Sequence, residues 1–314
     1  MNTQVKKIVL APMEGVVDRL MRELLTSIND YDLCVTEFVR VVNKKMPKHV
    51  FYRICPELHN KGYTTSGTPV RVQLLGQMPE IMAANAERAL ELGSHGVDVN
   101  FGCPAKTVNK SKGGAVLLKE PEKIYQILST IKKSIGTDNT LSAKIRLGFD
   151  EDSLFEEIVS AVESSGVKEI AIHARTKRHG YKPPAYWHKI GEIADKHQLS
   201  VTANGEIWHR QHMFNCIEQS KTNSIMLGRG ALAMPNLANV LRYNEAPMSK
   251  ASLKDLLITY SERELEGDKS YYFSSRLKQW LRYLKLQFNE AELLFQRIKT
   301  LTRKQEIIEQ IDKL

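Results

Sequence analysis

Residues 70–100 read VRVQLLGQMPEIMAANAERALELGSHGVDVN and hold a strand, a helix and a second strand in succession. Val70 to Leu75 is a short β-favouring run of the kind found in parallel strands covered on both sides. Pro79 to Leu92 carries Ile81, Asn85, Ala89 and Leu92 at helical spacing and stops at Gly93, a residue suited to ending a helix. Gly96 to Asn100 is a second β run.

The same unit recurs along the chain. Further β runs are Lys7 to Pro12, Leu33 to Phe38, Ser142 to Leu147, Glu169 to His173, Ser200 to Ala203 and Ser224 to Leu227. Helix-like segments at Pro121 to Ile135, Leu154 to Ser164 and Trp187 to His197 lie among them. Eight β-then-α units over roughly 240 residues predict a closed (β/α)₈ barrel, because an open doubly wound sheet rarely needs so many parallel strands. Strand signals end at Tyr243, and Asn244 to Ser249 reads as a linker. The expected division is a catalytic barrel over residues 1–243 and a small all-helical part over 244–314. In the latter, Leu277, Leu281, Leu284 and Phe288 form one apolar stripe beside Lys278, Arg282 and Lys285.

Composition agrees with a folded protein possessing a sizeable core: 314 residues, 42% hydrophobic and 26% charged. The net charge of +9 makes a polyanionic partner plausible. Lys269 to Lys304 holds +7 of it, on a segment that is otherwise a solvated helix face. No apolar run is long enough to span a membrane and no signal peptide is evident, so a reducing cytoplasm is the expected address. Cys34, Cys55, Cys103 and Cys216 are scattered without a C-x-x-C pair, which disfavours a disulfide framework or a structural zinc site; no metal is expected.

Active sites of (β/α)₈ barrels lie at the carboxyl ends of the strands, and polar residues cluster there. Met13 and Glu14 follow the first run; Glu37 and Arg40 lie around the end of the second, Gln73 near the end of the third, and Asn100 ends the fourth. Lys144 and Arg146 lie on the fifth, His173 and Arg175 on the sixth, and Asn204-Gly205-Glu206 and Gly228-Arg229-Gly230 after the last two. Glycine turns at those last two positions suit a phosphate held on backbone N–H groups, with Arg229 adding charge. Asn100 and Gln73 offer amides for a planar heterocycle, and Lys144 offers a charge for a reduced ring or an interior ion pair with Glu206 or Glu37. Cys103 sits between Gly102 and Pro104 on a tight turn; a thiol with an ordinary pKa of ~8.5 is protonated at neutral pH and suits proton donation. The spacing of Lys106, Lys110, Lys112 and Gly113-Gly114 is not that of a nucleotide triphosphate loop.

Seven ordered motifs, Ala11-Pro12-Met13-Glu14-Gly15, Val72-Gln73-Leu74-Leu75-Gly76, Asp98-Val99-Asn100-Phe101-Gly102-Cys103-Pro104, Lys144-Ile145-Arg146-Leu147-Gly148, His173-Ala174-Arg175-Thr176, Asn204-Gly205-Glu206-Ile207 and Gly228-Arg229-Gly230-Ala231, resemble those of the tRNA-dihydrouridine synthases. Arg276-Leu277-Lys278-Gln279-Trp280-Leu281, with Arg40, is similar to the C type, associated with uridine 16 of the tRNA D-loop. The resemblance implies an FMN enzyme in which NADPH reduces the flavin and the flavin reduces the C5=C6 bond of a uridine. It assigns FMN to Pro12, Met13, Glu14, Gln73, Lys144, His173, Asn204, Gly205, Glu206, Gly228 and Arg229, and makes Cys103 the acid. It gives tRNA contacts to Arg40, Arg276, Lys278 and Lys299, and contacts with the extruded nucleotide to Asn100, Arg146 and Tyr181. A monomer is expected. Ala174 stands where the family often has Gly, Tyr186 where Asp is common, and Lys299 where the C type has Arg. Competing expectations are an FMN barrel reductase of a free pyrimidine or small enone, an aldolase using Lys144, and a non-enzymatic RNA-binding module.

Overall fold

A computed structural model describes residues 4–265 and 270–314. Its strands are β1 (Lys7–Leu10), β2 (Leu33–Arg40), β3 (Val70–Leu75), β4 (Val97–Asn100), β5 (Leu141–Arg146), β6 (Glu169–His173), β7 (Ser200–Asn204) and β8 (Ser224–Leu227). They pair in parallel, in chain order, and close where β1 meets β8. All eight expected runs form strands, with ends displaced by a few residues. β1 stops before Pro12, which has no N–H for the ladder. β2 continues past Phe38 to Arg40 across a register shift between Val35 and Phe38, and Glu37 lies within that irregularity.

Side-chain alternation explains what fills the barrel. In β3 the outward set is Val70, Val72 and Leu74, all buried against the helices, whereas the alternate set includes Arg71 and Gln73. β4 alternates Val97 and Val99 with Asp98 and Asn100, and β5 alternates Ala143 and Ile145 with Ser142, Lys144 and Arg146. Polar residues therefore alternate with apolar ones on these three strands, apart from Leu75 at the end of β3. The interior also holds an apolar cluster of Val9, Ala11, Leu33, Val35, Ala171 and Met226.

Outside the barrel, Arg22 on the helix Arg19–Thr26 and Glu57 on the 3₁₀ turn Pro56–Asn60 are fully buried and joined by two hydrogen bonds, 2.7 and 2.9 Å. The guanidinium also donates to the carbonyls of Val17 and Ile54, so every end of this ion pair is satisfied.

Beyond residues 244–249 come the helices Lys250–Leu265, Ser270–Leu284, Asn289–Ile298 and Lys304–Ile311. Leu277, Leu281 and Leu284 are buried as the apolar stripe requires; Phe288, beyond the helix end, is buried just before the next helix. These residues join the same apolar core as the barrel-covering helices. The indole Nε1 of buried Trp280 donates to the Leu232 carbonyl at 3.0 Å, which ties this helix to the segment following β8. Lys269, the first residue of the basic window, lies outside the described residues. All four cysteines are buried and free. Among the described residues no helix is long and apolar enough to cross a membrane, and no group of three or more His, Cys, Asp or Glu is placed to hold a metal.

Candidate active site

The inward polar residues of β3, β4 and β5 form a continuous hydrogen-bonded relay. Arg71 pairs with Glu169 at 2.8 Å and donates to Ser142 Oγ at 3.0 Å; Ser142 Oγ donates to Asp98 Oδ1 at 2.5 Å. Gln73 Nε2 donates to Asp98 Oδ2 at 2.7 Å, and Asn100 Nδ2 donates to Gln73 Oε1 at 2.8 Å. Asn100 Oδ1 then accepts the backbone N–H groups of Gly102 and Cys103, both at 2.9 Å. Asn100 lines the cavity, but its carbonyl is committed to shaping the turn that carries Cys103. Gln73 retains one amide hydrogen for a ligand. Burial raises the Asp98 carboxyl against the lowering effect of the Ser142 and Gln73 hydrogen bonds.

A cavity of ≈ 480 Å³ opens at the carboxyl ends of the strands, within the size range of small-molecule sites. Every residue assigned to the cofactor lines it: Pro12, Met13 and Glu14 from the loop after β1, Gln73, Lys144, His173, Asn204 to Glu206, Gly228 and Arg229. Cys103, Asn100, Arg146 and Tyr181 line it too. Cys103 is 9% exposed. Burial pushes its thiol up, and Glu14 adds to this, against the Ala105 N–H, Arg146 and Lys144.

Lys144 has no carboxylate partner among the described residues; its Nζ donates to Asn204 Oδ1 at 3.4 Å, not to Glu206 or Glu37. Burial, reinforced by the charge of Arg146, brings its pKa down to about 8, with Asp98 and Cys103 opposing. His173 is lowered well below its ordinary value by burial and by Arg146, Lys144, Arg175 and Arg229, so it is neutral at pH 7. Glu206 pairs with Arg175, a fully buried guanidinium, and lies 3.5 Å from Arg229. Glu37 accepts the Gly15 N–H and holds the loop over the cavity.

Two glycines make the far end a cradle. Gly205 has φ +117, and a Cβ there would lie 2.9 Å from the His173 ring; a Cβ on Gly228 would face Met13 Sδ at 3.6 Å. Arg229 starts the helix Arg229–Ala233, donates to the Tyr181 carbonyl at 3.2 Å, and lies 5.2 and 5.3 Å from the Tyr181 and Trp208 rings. Small residues, a guanidinium and an adjoining amide-lined region suit a phosphate joined to a planar heterocycle.

The remaining basic residues lie outside the cavity lining. Arg276 pairs with Asp18. Lys278 Nζ donates to the Leu301 carbonyl at 2.6 Å, Lys299 Nζ to Gln296 Oε1 at 3.2 Å, and Arg40 to Thr107 and Ser111. Sequence reasoning missed Trp208 and Tyr283 as cavity residues. Tyr283 follows Arg276 and Trp280 at i+7 and i+3, the helical spacing that would have pointed to it.

The fold and this site define a (β/α)₈-barrel enzyme with a polar, glycine- and guanidinium-lined cavity at the carboxyl ends of its strands. The dihydrouridine synthase family model matches residues 9–313, and the chain belongs to that family. A Shewanella oneidensis protein named tRNA-dihydrouridine(16) synthase is 52% identical over 307 residues, covering 98% of each chain. An Escherichia coli protein of the same name is 48% identical over 309 residues, again covering 98% of each. Among solved structures, morphinone reductase in complex with tetrahydroNAD superposes with TM-score 0.53 at 10% identity, over 79% of this chain and 90% of that one. An old yellow enzyme homologue from Zymomonas mobilis gives 0.54 at 11%, over 78% and 90%. At such low identity these two likenesses concern the barrel alone.

Proposed function

We propose that this protein reduces the C5=C6 bond of a uridine in the tRNA D-loop, at position 16, with FMN as its tightly bound cofactor and NADPH as the reductant. The observation that carries the reading is Cys103: a mostly buried thiol fixed by Asn100 on the wall of a cavity that also presents Lys144, Arg146, Gly205, Gly228 and Arg229. When bound, FMN supplies the hydride that adds to uracil C6.

This chain's own residues do the rest. Backbone N–H groups around Gly205 and Gly228, with Arg229, hold the phosphate. Gln73, Lys144, Asn204 and neutral His173 orient the ring, and Lys144 balances negative charge developing beside it. Pro12, Met13 and Glu14, held through the Gly15–Glu37 hydrogen bond, cover one side of the cavity and exclude water. Cys103 gives its proton to uracil C5, general-acid assistance of a kind worth ~10²- to 10⁴-fold in rate. Arg146 donates to the Gly102 carbonyl at 2.8 Å and lies 5.3 Å from the Tyr181 ring, a pair suited to flank an extruded nucleotide. Extrusion costs a few kcal/mol, which phosphate contacts from Arg40, Arg276, Lys278 and Lys299 offset. In this reading residues 1–243 are the catalytic barrel, 244–314 dock the RNA, and the protein acts as a cytoplasmic monomer.

The test is spectroscopic. Protein purified with FMN is yellow, NADPH bleaches it anaerobically, and tRNA lacking dihydrouridine restores the colour whereas free uridine does not. Restoration by free uridine or a small enone at comparable rates would favour a general barrel reductase, and a colourless protein that cannot be loaded would remove the flavin.

A further inference from the structure

The segment behind Cys103 is built around that residue. Asn109 Nδ2 donates to the carbonyls of Cys103 and Ala105 at 3.1 and 2.7 Å, and the Ala115 N–H reaches the Cys103 carbonyl at 3.0 Å. Val108 and Leu75 share a small buried cluster with Cys103. At Gly114 (φ +65) a Cβ would lie 2.9 Å from the Cys103 carbonyl oxygen, so the return of the chain presses directly on the thiol-bearing residue. Between them stands a helix of five residues, Lys106–Lys110, too short to be stable alone, followed by Lys112 in the left-handed region at φ 56.

The outer side of this segment is held by Arg40, the last residue of β2. Its Nη2 donates to the Thr107 carbonyl at 3.2 Å and to Ser111 Oγ at 2.9 Å, while Ser111 Oγ donates to the Val108 carbonyl at 2.8 Å. We propose that Arg40 is a positioning residue for Cys103, bracing the 106–112 segment against the barrel so that the thiol keeps its place in the cavity wall. Its role in turnover rests on the reading above, in which Cys103 is the acid. Arg40 is exposed, so the same guanidinium is open to an RNA phosphate, and docking and thiol placement meet on one side chain.

Alkylation of Cys103 by iodoacetamide in the RNA-free holoenzyme, followed by mass spectrometry of the modified peptide, tests the brace without relying on tRNA reduction. Arg40→Met removes both hydrogen bonds to the segment and is expected to alkylate about three- to tenfold faster than wild type, with Arg40→Lys intermediate. Ser111→Ala removes one acceptor and leaves the guanidinium; it should also alkylate faster and lower kcat on tRNA, with its tRNA Kd within about twofold of wild type. Wild-type alkylation rates in both Arg40→Met and Ser111→Ala, with any loss of turnover confined to KM, would overturn the proposal and leave Arg40 as a docking residue. Failure of the wild-type protein to reduce tRNA would instead overturn the functional reading, and the alkylation rates would still decide the brace.

Discussion

Asp18 joins the two ends of the molecule: its Oδ1 caps the helix Arg19–Thr26 by accepting the Met21 N–H at 3.0 Å, and its Oδ2 pairs with Arg276 of the helix Ser270–Leu284. Arg276, Trp280 and Tyr283 share one helix face through i, i+4 and i+7 spacing. Through them this helix meets the residue that ends the β1–α loop, the Leu232 carbonyl after β8, and the cavity itself.

If Arg276 contacts an RNA phosphate, as proposed, the Asp18 carboxylate would oppose that contact. Asp18→Asn keeps a good helix cap and removes the charge. It is expected to bind tRNA more tightly at low salt and to steepen the dependence of log K on log salt, because a charge opposing that contact is removed. Anisotropy titrations over a range of KCl concentrations check this; weaker binding with an unchanged slope would assign Arg276 to the Asp18 latch alone.

Burial holds the Cys103 thiol above its ordinary value, which keeps it protonated in the neutral range as the proposed acid requires. The pH dependence of Cys103 alkylation is expected to have its midpoint above ~8.5, the value of an unperturbed thiol. A midpoint below that of a free thiol would mean a pre-ionised nucleophile.

Gly205→Ala places a Cβ against the His173 ring at a backbone angle that L-residues avoid, with a conformational cost of roughly 1–2 kcal/mol. Reduced FMN content, read from visible absorbance relative to protein, is the expected outcome. Full occupancy would move the phosphate cradle elsewhere.

Burial works to raise the Glu57 carboxyl, but the charge and hydrogen bonds of Arg22 prevail and its pKa is lowered. A carboxylate held below its unfolded value stabilises the fold fully above that value, ~4.3, and the contribution is lost as pH falls through the folded pKa. Glu57→Gln strands a buried guanidinium and should cost about 3–5 kcal/mol at neutral pH, with a smaller deficit in acid. Chemical denaturation at pH 7 and pH 4 measures both; an equal loss at the two pH values would contradict the linkage.

The barrel was legible because its strands are short, bounded by turn residues and separated by helical periodicity, and the cavity residues because they sit at strand ends. Contacts between distant segments left no local pattern. Nothing in the spacing of Asp98, Ser142 and Arg71 marks a relay that ends on the Cys103 turn, since β pairing across three strands creates it. Asn100 was readable as polar and near Cys103, but which of its groups faces the chain depends on the turn it closes. Arg276 and Lys278 stood out by charge, yet that charge did not reveal Asp18 or the Leu301 carbonyl as their partners.

The most direct measurement is dihydrouridine mapping, nucleotide by nucleotide, in tRNA treated with the NADPH-supplied holoenzyme or with its Cys103→Ala variant. Conversion at uridine 16 by the wild-type protein is predicted, falling by ~10²-fold or more in the variant although it retains FMN. Equal conversion by the two proteins, or no conversion at any D-loop uridine, would contradict the account.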